Sequence, residues 1–241
     1  MEKDKMYQVS TLQSLMMGYT RPVITVKELL EHGDTGLGTF EDVNGEMIVA
    51  GGHCYQAHED GTVEKAKDDE GVPFASVAFL DEEMTFELAD IKNIDDLKNE
   101  LNLKIEEMFG LNSMHIVRID GEFGKVSARS ESPYKSQHVS LKDILSETQK
   151  SFEFDDVEGT MICVYYPDYM DGINAPEWHL HFLSADRKNG GHTFDLVLKR
   201  GLAVMDKLSK VEIQLPTEPA FDTYSLKESP NDDIKAVEQG K

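Results

Sequence analysis

Three of the chain's eight histidines, His179, His181 and His192, fall within fourteen consecutive positions of the segment EWHLHFLSADRKNGGHTF. On a strand, side chains two residues apart leave the same face, so His179 and His181 point together while Leu180 points away. The Asn189-Gly190-Gly191 turn then sends the chain back. With a hairpin centred near Arg187, His181 lies opposite His192. Directly opposed Cβ atoms sit about 4.5–5.5 Å apart, close enough for imidazoles on one face to converge on a single ion. Three neutral nitrogens leave a fourth position open, which is the arrangement of catalytic rather than structural zinc. The same spacing also describes a half-exposed surface pair with a third histidine nearby. The register of His192 weighs toward metal, and spacing alone stops there.

Other templates fit less well. A cupin-type site wants a glutamate shortly after the His-x-His pair, and HLHFLSADRK offers only Asp186. An α-type carbonic anhydrase places its third histidine much further along the chain. The HCYQAH cluster (His53, Cys54 and His58) imitates a ligand set but reads as an ordinary strand and turn. The glycine run GDTGLGTF lacks the lysine and strand-to-helix context of a phosphate loop, so it reads as a turn. Met16 and Met17 are most simply core.

The elements that must position these groups follow from periodicity and punctuation. Residues 7–18, YQVSTLQSLMMG, suit a short helix stopped by Gly18. VKELLEHG repeats the form, with Thr25 as N-cap and Gly33 just past the end. A meander follows, in which Asn44-Gly45 (favouring a type I′ turn) and Asp60-Gly61 separate apolar runs. PFASVAFL is a further strand, and DIKNIDDLKNELNLKIEEMFG is the most convincing helix. MHIVRIDGEFGKVSARS predicts two strands about an Asp-Gly turn. A loop and helix over SPYKSQHVSLKDILSETQKSFEF lead into a strand-rich half: GTMICVYYP, rich in β-branched and aromatic residues, then the histidine hairpin and KVEIQLP. After Pro216 periodicity is lost and an extended arm is expected. No solenoid repeat is present. The class is α+β: two closely packed lobes of mixed, mostly antiparallel sheet with a few flanking helices. The expected division is 1–140 for an N-terminal lobe and 141–241 for a C-terminal lobe carrying the histidine hairpin and the arm.

Composition excludes several partners. With 241 residues, 39% hydrophobic and 29% charged, the chain reads as globular and able to bury a sizeable core. A formal net charge of −22 repels phosphate backbones and anionic membranes, so nucleic acid and lipid surfaces are poor partners. An anionic substrate would need a strong local positive charge. No apolar run approaches a membrane span, and the start MEKDKMYQVS lacks the apolar stretch of a secretory signal. Two cysteines, Cys54 and Cys163, fit a reducing compartment, and cytoplasmic residence is expected.

Taken together, the stretches STLQSLMMG, GDTGLGTFEDVNGEMI, GEFGKVSARS, GTMICVYYPDY, WHLHF, GGHTFDL and IQLP resemble those of the acetolactate decarboxylase family, over nearly the full length from about Tyr7 onward. The resemblance implies conversion of 2-acetolactate to acetoin and carbon dioxide through an enediolate, with Zn²⁺ held by His179, His181 and His192. It further implies a glutamate after the Asn-Gly turn, at Glu46, an arginine in the KVSAR strand, at Arg129, and a pocket position near the metal at Thr39. A glutamate from the C-terminal tail falls at Glu238 by a gapless count from QLP. Read this way, Arg129 holds the substrate carboxylate, Glu46 and Glu238 move protons, and a homodimer is the expected assembly. Taken as residues alone, Glu46 beside a turn and Arg129 on a strand would pass as solvated surface positions. Glu238 would pass as part of a frayed end. The competing readings are a zinc hydrolase or hydratase acting through metal-bound hydroxide, and a non-enzymatic metal or small-ligand binding protein.

Overall fold

Three strands of 18 or 19 residues set the architecture, and the first of them runs straight through the expected Asp120-Gly121 turn. The structure, a computed structural model, describes residues 3–81, 84–108, 110–135 and 138–226. In chain order the elements are β1 (Lys5–Val9), α1 (Leu12–Met16), β2 (Ile24–Thr25), α2 (Val26–Leu29), β3 (Thr35–Thr39), β4 (Glu46–Ala50), β5 (His53–Ala57), β6 (Val63–Lys65), β7 (Gly71–Val72), β8 (Phe74–Ala78) and β9 (Met84–Ile91). They continue with α3 (Ile94–Met108), β10 (Met114–Glu131), α4 (Leu141–Thr148), β11 (Gln149–Tyr166), β12 (Glu177–Ser184), β13 (Gly190–Leu208) and β14 (Lys210–Gln214).

Seven strands form one sheet in the order β14-β1-β8-β3-β4-β5-β6, antiparallel except where β14 lies parallel to β1. A second, antiparallel sheet runs β10-β11-β12-β13-β9, and β10 also pairs with β13, so β10, β11, β12 and β13 close on themselves. The class is α+β, as expected. Its strands do not follow chain order by halves: β10 and β11 pair from His115↔Tyr165 to Glu131↔Gln149, on either side of the 140/141 division, and β14 returns to β1.

Several local expectations need correction. Asp120-Gly121 does not turn. Gly121 sits inside β10 opposite Gly159 on β11 and Gly201 on β13, and a Cβ there would come within 2.6 Å of the Arg200 carbonyl oxygen. The glycine permits close backbone approach rather than reversal. Residues Tyr7–Val9 belong to β1, not to a helix. Tyr7 and Val9 bury in the apolar cluster formed with Met47, Val49 and Val77, and the helix starts only after the Thr11 N-cap. GDTGLGTF contributes β3, a central strand, because Gly36 and Gly38 allow β8 to lie tightly against it. The β3–β4 connection is not a type I′ turn. Asn44 has φ −83°, and the left-handed residues are Asp42, Val43 and Gly45. The long helix begins at Ile94 rather than near Asp90, because Asp90 and Ile91 belong to β9, which pairs with β13.

Other expectations hold. Thr25 caps α2 with a full capping box to Glu28, the kind of cap worth about 1 kcal/mol. The core has one layer between the second sheet and α3 (Leu97, Leu101, Ile105) and another between the two sheets, including Met6, Leu37, Ile116 and Val164. A buried polar network pins the segment before β12. Tyr166 Oη donates to Gln8 Oε1 (2.7 Å), and Asn174 Nδ2 donates to Gln8 Oε1 (3.0 Å) and Ser76 Oγ (2.8 Å). No described helix is long and apolar enough to cross a membrane.

Candidate metal centre and active site

β12 shows the period-2 alternation that the histidine spacing predicts. Trp178, Leu180 and Phe182 bury in the core beside α3, while His179 and His181 leave the opposite face toward the seven-stranded sheet. His181 is the direct cross-strand partner of His192 on β13, as the hairpin register requires. His192 is in turn the partner of Arg129 on β10. The β10–β13 register slips by one residue between Ser127 and Ala128. Such a bulge re-aims the side chains beyond it, and here it brings His192 and Arg129 face to face.

The three imidazoles converge. His179 Nε2 lies 3.0 Å from His181 Nε2 and 3.1 Å from His192 Nδ1. One nitrogen from each ring lies within 4.8 Å of the others, and all three residues are buried. Burial pushes the His179 pKa down to about 3, helped by the nearby Arg129 charge, and burial likewise holds His181 well below its usual range. His179 and His181 are therefore neutral at physiological pH and offer lone pairs, as a cation requires. His181 Nδ1 donates to the Met47 carbonyl at 2.7 Å. That bond fixes the tautomer and aims Nε2 at the meeting point, the orienting role that outer partners play around metal-binding histidines. By ligand type, number and burial, this donor set fits a first-row divalent ion.

Glu46, the first residue of β4, faces the same point: its carboxylate oxygens lie 3.4 Å from His181 Nε2 and 3.9 Å from His192 Nδ1. Its backbone N–H donates to Ser130 Oγ, which itself donates to the Ala57 carbonyl. Thr39 Oγ1 donates to the Gly45 carbonyl at 2.9 Å, so Thr39 fixes the turn that presents Glu46. Arg129 Nη2 lies 3.2 Å from His192 Nε2. Thr39, Glu46, Arg129, His179 and His192 line one pocket. The structure thus gathers every site residue expected from sequence except Glu238, which lies outside the described residues. The described arm ends beside the pocket's helical wall. The Gln13 side chain donates to the Leu226 carbonyl, and Tyr224 packs edge-on against Tyr19.

The pocket also contains residues that the sequence reading missed. Glu131 lies two positions beyond Arg129 on β10, buried in the same pocket, and the period-2 rule that paired the histidines would have found it. The apolar wall of Leu15, Val43, Phe74, Leu141 and Leu145 comes from α1, α4 and two loop or strand positions with no shared sequence signal. The decoys stay apart. Cys54 is buried with its thiol pKa pushed up, His53 is exposed, and His58 pairs with Glu64 at 3.3 Å. Among the described residues the three-histidine set is the one cluster with metal-ligand geometry.

Comparison with known proteins gives a consistent result. The family model for alpha-acetolactate decarboxylase matches residues 6–228. The alpha-acetolactate decarboxylase of Methanosarcina mazei is 35% identical over 98% of this chain and 81% of its own length. That of Streptococcus thermophilus is 32% identical over 98% of this chain and 99% of its own. The crystal structure of alpha-acetolactate decarboxylase from Bacillus subtilis strain 168 superposes with a TM-score of 0.92 at 30% identity, covering 98% of this chain and 100% of that one.

Proposed function

The chain belongs to the alpha-acetolactate decarboxylase family, and from that premise we propose that it converts 2-acetolactate to acetoin and carbon dioxide at a zinc centre formed by His179, His181 and His192. One observation carries the reading: nitrogens of three buried imidazoles, a carboxylate and a guanidinium converge where a single pocket ends.

2-Acetolactate is a β-keto acid with a tertiary hydroxyl beside the ketone, and loss of carbon dioxide leaves an electron pair to be housed as an enediolate. When bound, zinc supplies the Lewis acid that stabilises this developing charge, and its neutral ligands leave most of the dication's charge for the substrate. The chain's own residues do the rest. Arg129, permanently charged and forked, binds the carboxylate and provides the local attraction that a field of −22 denies. It must favour the transition state over the bound substrate to raise the rate. Glu46 lies within hydrogen-bonding reach of anything held at the histidines and takes the hydroxyl proton or returns one to carbon. Glu238 is the second carboxylate in this reading, supported by the arm's approach along α1 to the pocket rim. Thr39 positions Glu46 by holding the Gly45 carbonyl. The apolar wall excludes water and receives the substrate's methyl groups.

The test is direct. Metal content is measured in the purified protein, and acetoin formation from 2-acetolactate is followed before and after chelation. The reading predicts about one zinc per chain and activity that is lost on stripping and returns with zinc. A metal-replete protein that makes no acetoin, or one indifferent to chelation, removes it. Zinc-dependent ester hydrolysis or CO₂ hydration without acetoin would favour the hydroxide chemistry instead.

A further inference from the structure

The contact between Arg129 and His192 sets two proton donors in conflict once a metal is considered. Guanidinium nitrogens donate and never accept. The 3.2 Å contact from Arg129 Nη2 therefore needs a bare His192 Nε2, and a ring with a bare Nε2 and one proton carries that proton on Nδ1. Nδ1 is the nitrogen turned toward His179 Nε2 at 3.1 Å, and so the one a shared cation would take. A ligating Nδ1 carries no proton. The ring proton then sits on Nε2, and two N–H groups face one another across the same gap.

We propose, resting on the zinc reading above, that the metal and Arg129 compete for His192. Loading the ion moves the His192 proton from Nδ1 to Nε2, breaks the Arg129–His192 hydrogen bond, and turns that guanidinium N–H toward the pocket that Arg129 already lines. The metal thereby arms the arginine for a carboxylate, and the metal-free protein keeps this donor engaged by its own histidine. The coupling is reciprocal, as equilibrium linkage requires. Whatever removes the Arg129 donor strengthens metal binding, although Arg129 belongs to the substrate side of the site. Repulsion between the guanidinium and the cation acts in the same direction, so affinity alone does not isolate the proton move.

Two measurements test the proposal together. ¹⁵N NMR of the histidine rings, with His192 assigned by its loss in His192→Gln, reads the tautomer without and with zinc. The expectation is a bare Nε2 in the metal-free protein and a protonated Nε2 after zinc addition. Competition against a chromophoric chelator then compares zinc affinity in the wild type and in Arg129→Gln, whose amide oxygen accepts from Nε2–H. The variant should bind zinc about tenfold more tightly, within the usual range of coupling between sites. An Nε2 with the same protonation in both states, or an affinity unchanged or weakened in Arg129→Gln, overturns the competition while leaving zinc binding intact. Zinc that moves none of the three ring signals overturns the metal reading itself, and the competition falls with it.

Discussion

Arg129 on β10 and His192 on β13 are direct cross-strand partners, and they are so because the register slips by one residue between Ser127 and Ala128. Before the slip Ser127 opposes Asp195; after it Ala128 opposes Thr193. Phe194 is the extra residue. A one-residue shift exchanges the two faces of a strand, so the bulge decides whether these side chains meet. Deleting Phe194 should leave the far-ultraviolet β signal of a folded protein while zinc uptake falls from one per chain toward none. Unchanged zinc stoichiometry in the deletion would mean that the bulge does not govern the site.

His192→Ala should fold but lose its response to metal. A ligand that binds only the native state, at a hundred times its dissociation constant, adds about 2.7 kcal/mol to stability. Zinc should therefore raise the wild-type melting temperature by several degrees and leave the variant's unmoved. A variant that is still stabilised by zinc to the wild-type extent would show that the ion sits elsewhere.

Arg129→Ala and Glu46→Gln separate holding the metal from doing the chemistry. Both should retain zinc. In the proposed reading Arg129 anchors the carboxylate and its loss should lower kcat/KM by about 10²–10³, while loss of Glu46 as proton carrier should cost a similar or larger factor. Wild-type turnover in either variant would remove that residue's assigned role.

How much of this was legible in the sequence follows from the physics of each element. Strand period and a hairpin centre near Arg187 sufficed to bring His179, His181 and His192 together, because that hairpin is local, although the reversal falls at residues 185–188 and Gly190 and Gly191, expected in the turn, pair inside β13. The Thr25 cap was legible for the same reason. Asp120-Gly121 misled because a glycine that permits close approach of three strands carries the same letters as one that turns a chain. The bulge between β10 and β13 leaves no trace in composition. The placing of Arg129 and Glu46 in a pocket was implied only by family resemblance, since a lone arginine on a strand or a glutamate after a turn reads as surface until the opposing sheet is known. The apolar wall required the packing of α1 and α4 against each other and against Val43 and Phe74, positions far apart in the chain, which no local pattern encodes.

His115, outside the site, predicts a pH effect on stability. It is fully buried on β10, and burial holds its pKa down to about 4 from an ordinary 6.5. In the unfolded chain the ring takes up a proton below pH 6.5, whereas in the native protein it stays neutral until about pH 4. Between those limits the unfolded state binds more protons, so this group's contribution is fully present above pH 6.5 and is lost as pH falls toward 4. The loss amounts to about 3 kcal/mol at most. His115→Phe should flatten this part of the profile: the difference in urea midpoint between wild type and variant should change between pH 7 and pH 4.5. A constant difference across that range would show that His115 is not the titrating group.

Val43 predicts substrate tolerance. A β-branched residue at φ 54° is strained, and Asp42 before it is also left-handed at φ 60°. The conformation is held from several sides: Asp42 N donates to the Thr20 carbonyl, Tyr134 N to the Asp42 carbonyl, and Val43 N to the Phe40 carbonyl. Strain of this kind, about 1–3 kcal/mol, persists where the surroundings over-determine it and tends to gather at functional sites. Its product here is a buried isopropyl group in the pocket wall, facing the space a substrate alkyl group must occupy in the proposed reading. Val43→Ala removes two carbon atoms and so leaves room for one added methylene, worth roughly tenfold in discrimination by an apolar pocket. Measured as a ratio of kcat/KM, the ethyl homologue of 2-acetolactate should gain on 2-acetolactate itself by about that factor in the variant. If the ratio stays at its wild-type value while both substrates are still turned over, the alkyl group does not lie against Val43 and must face another part of the wall.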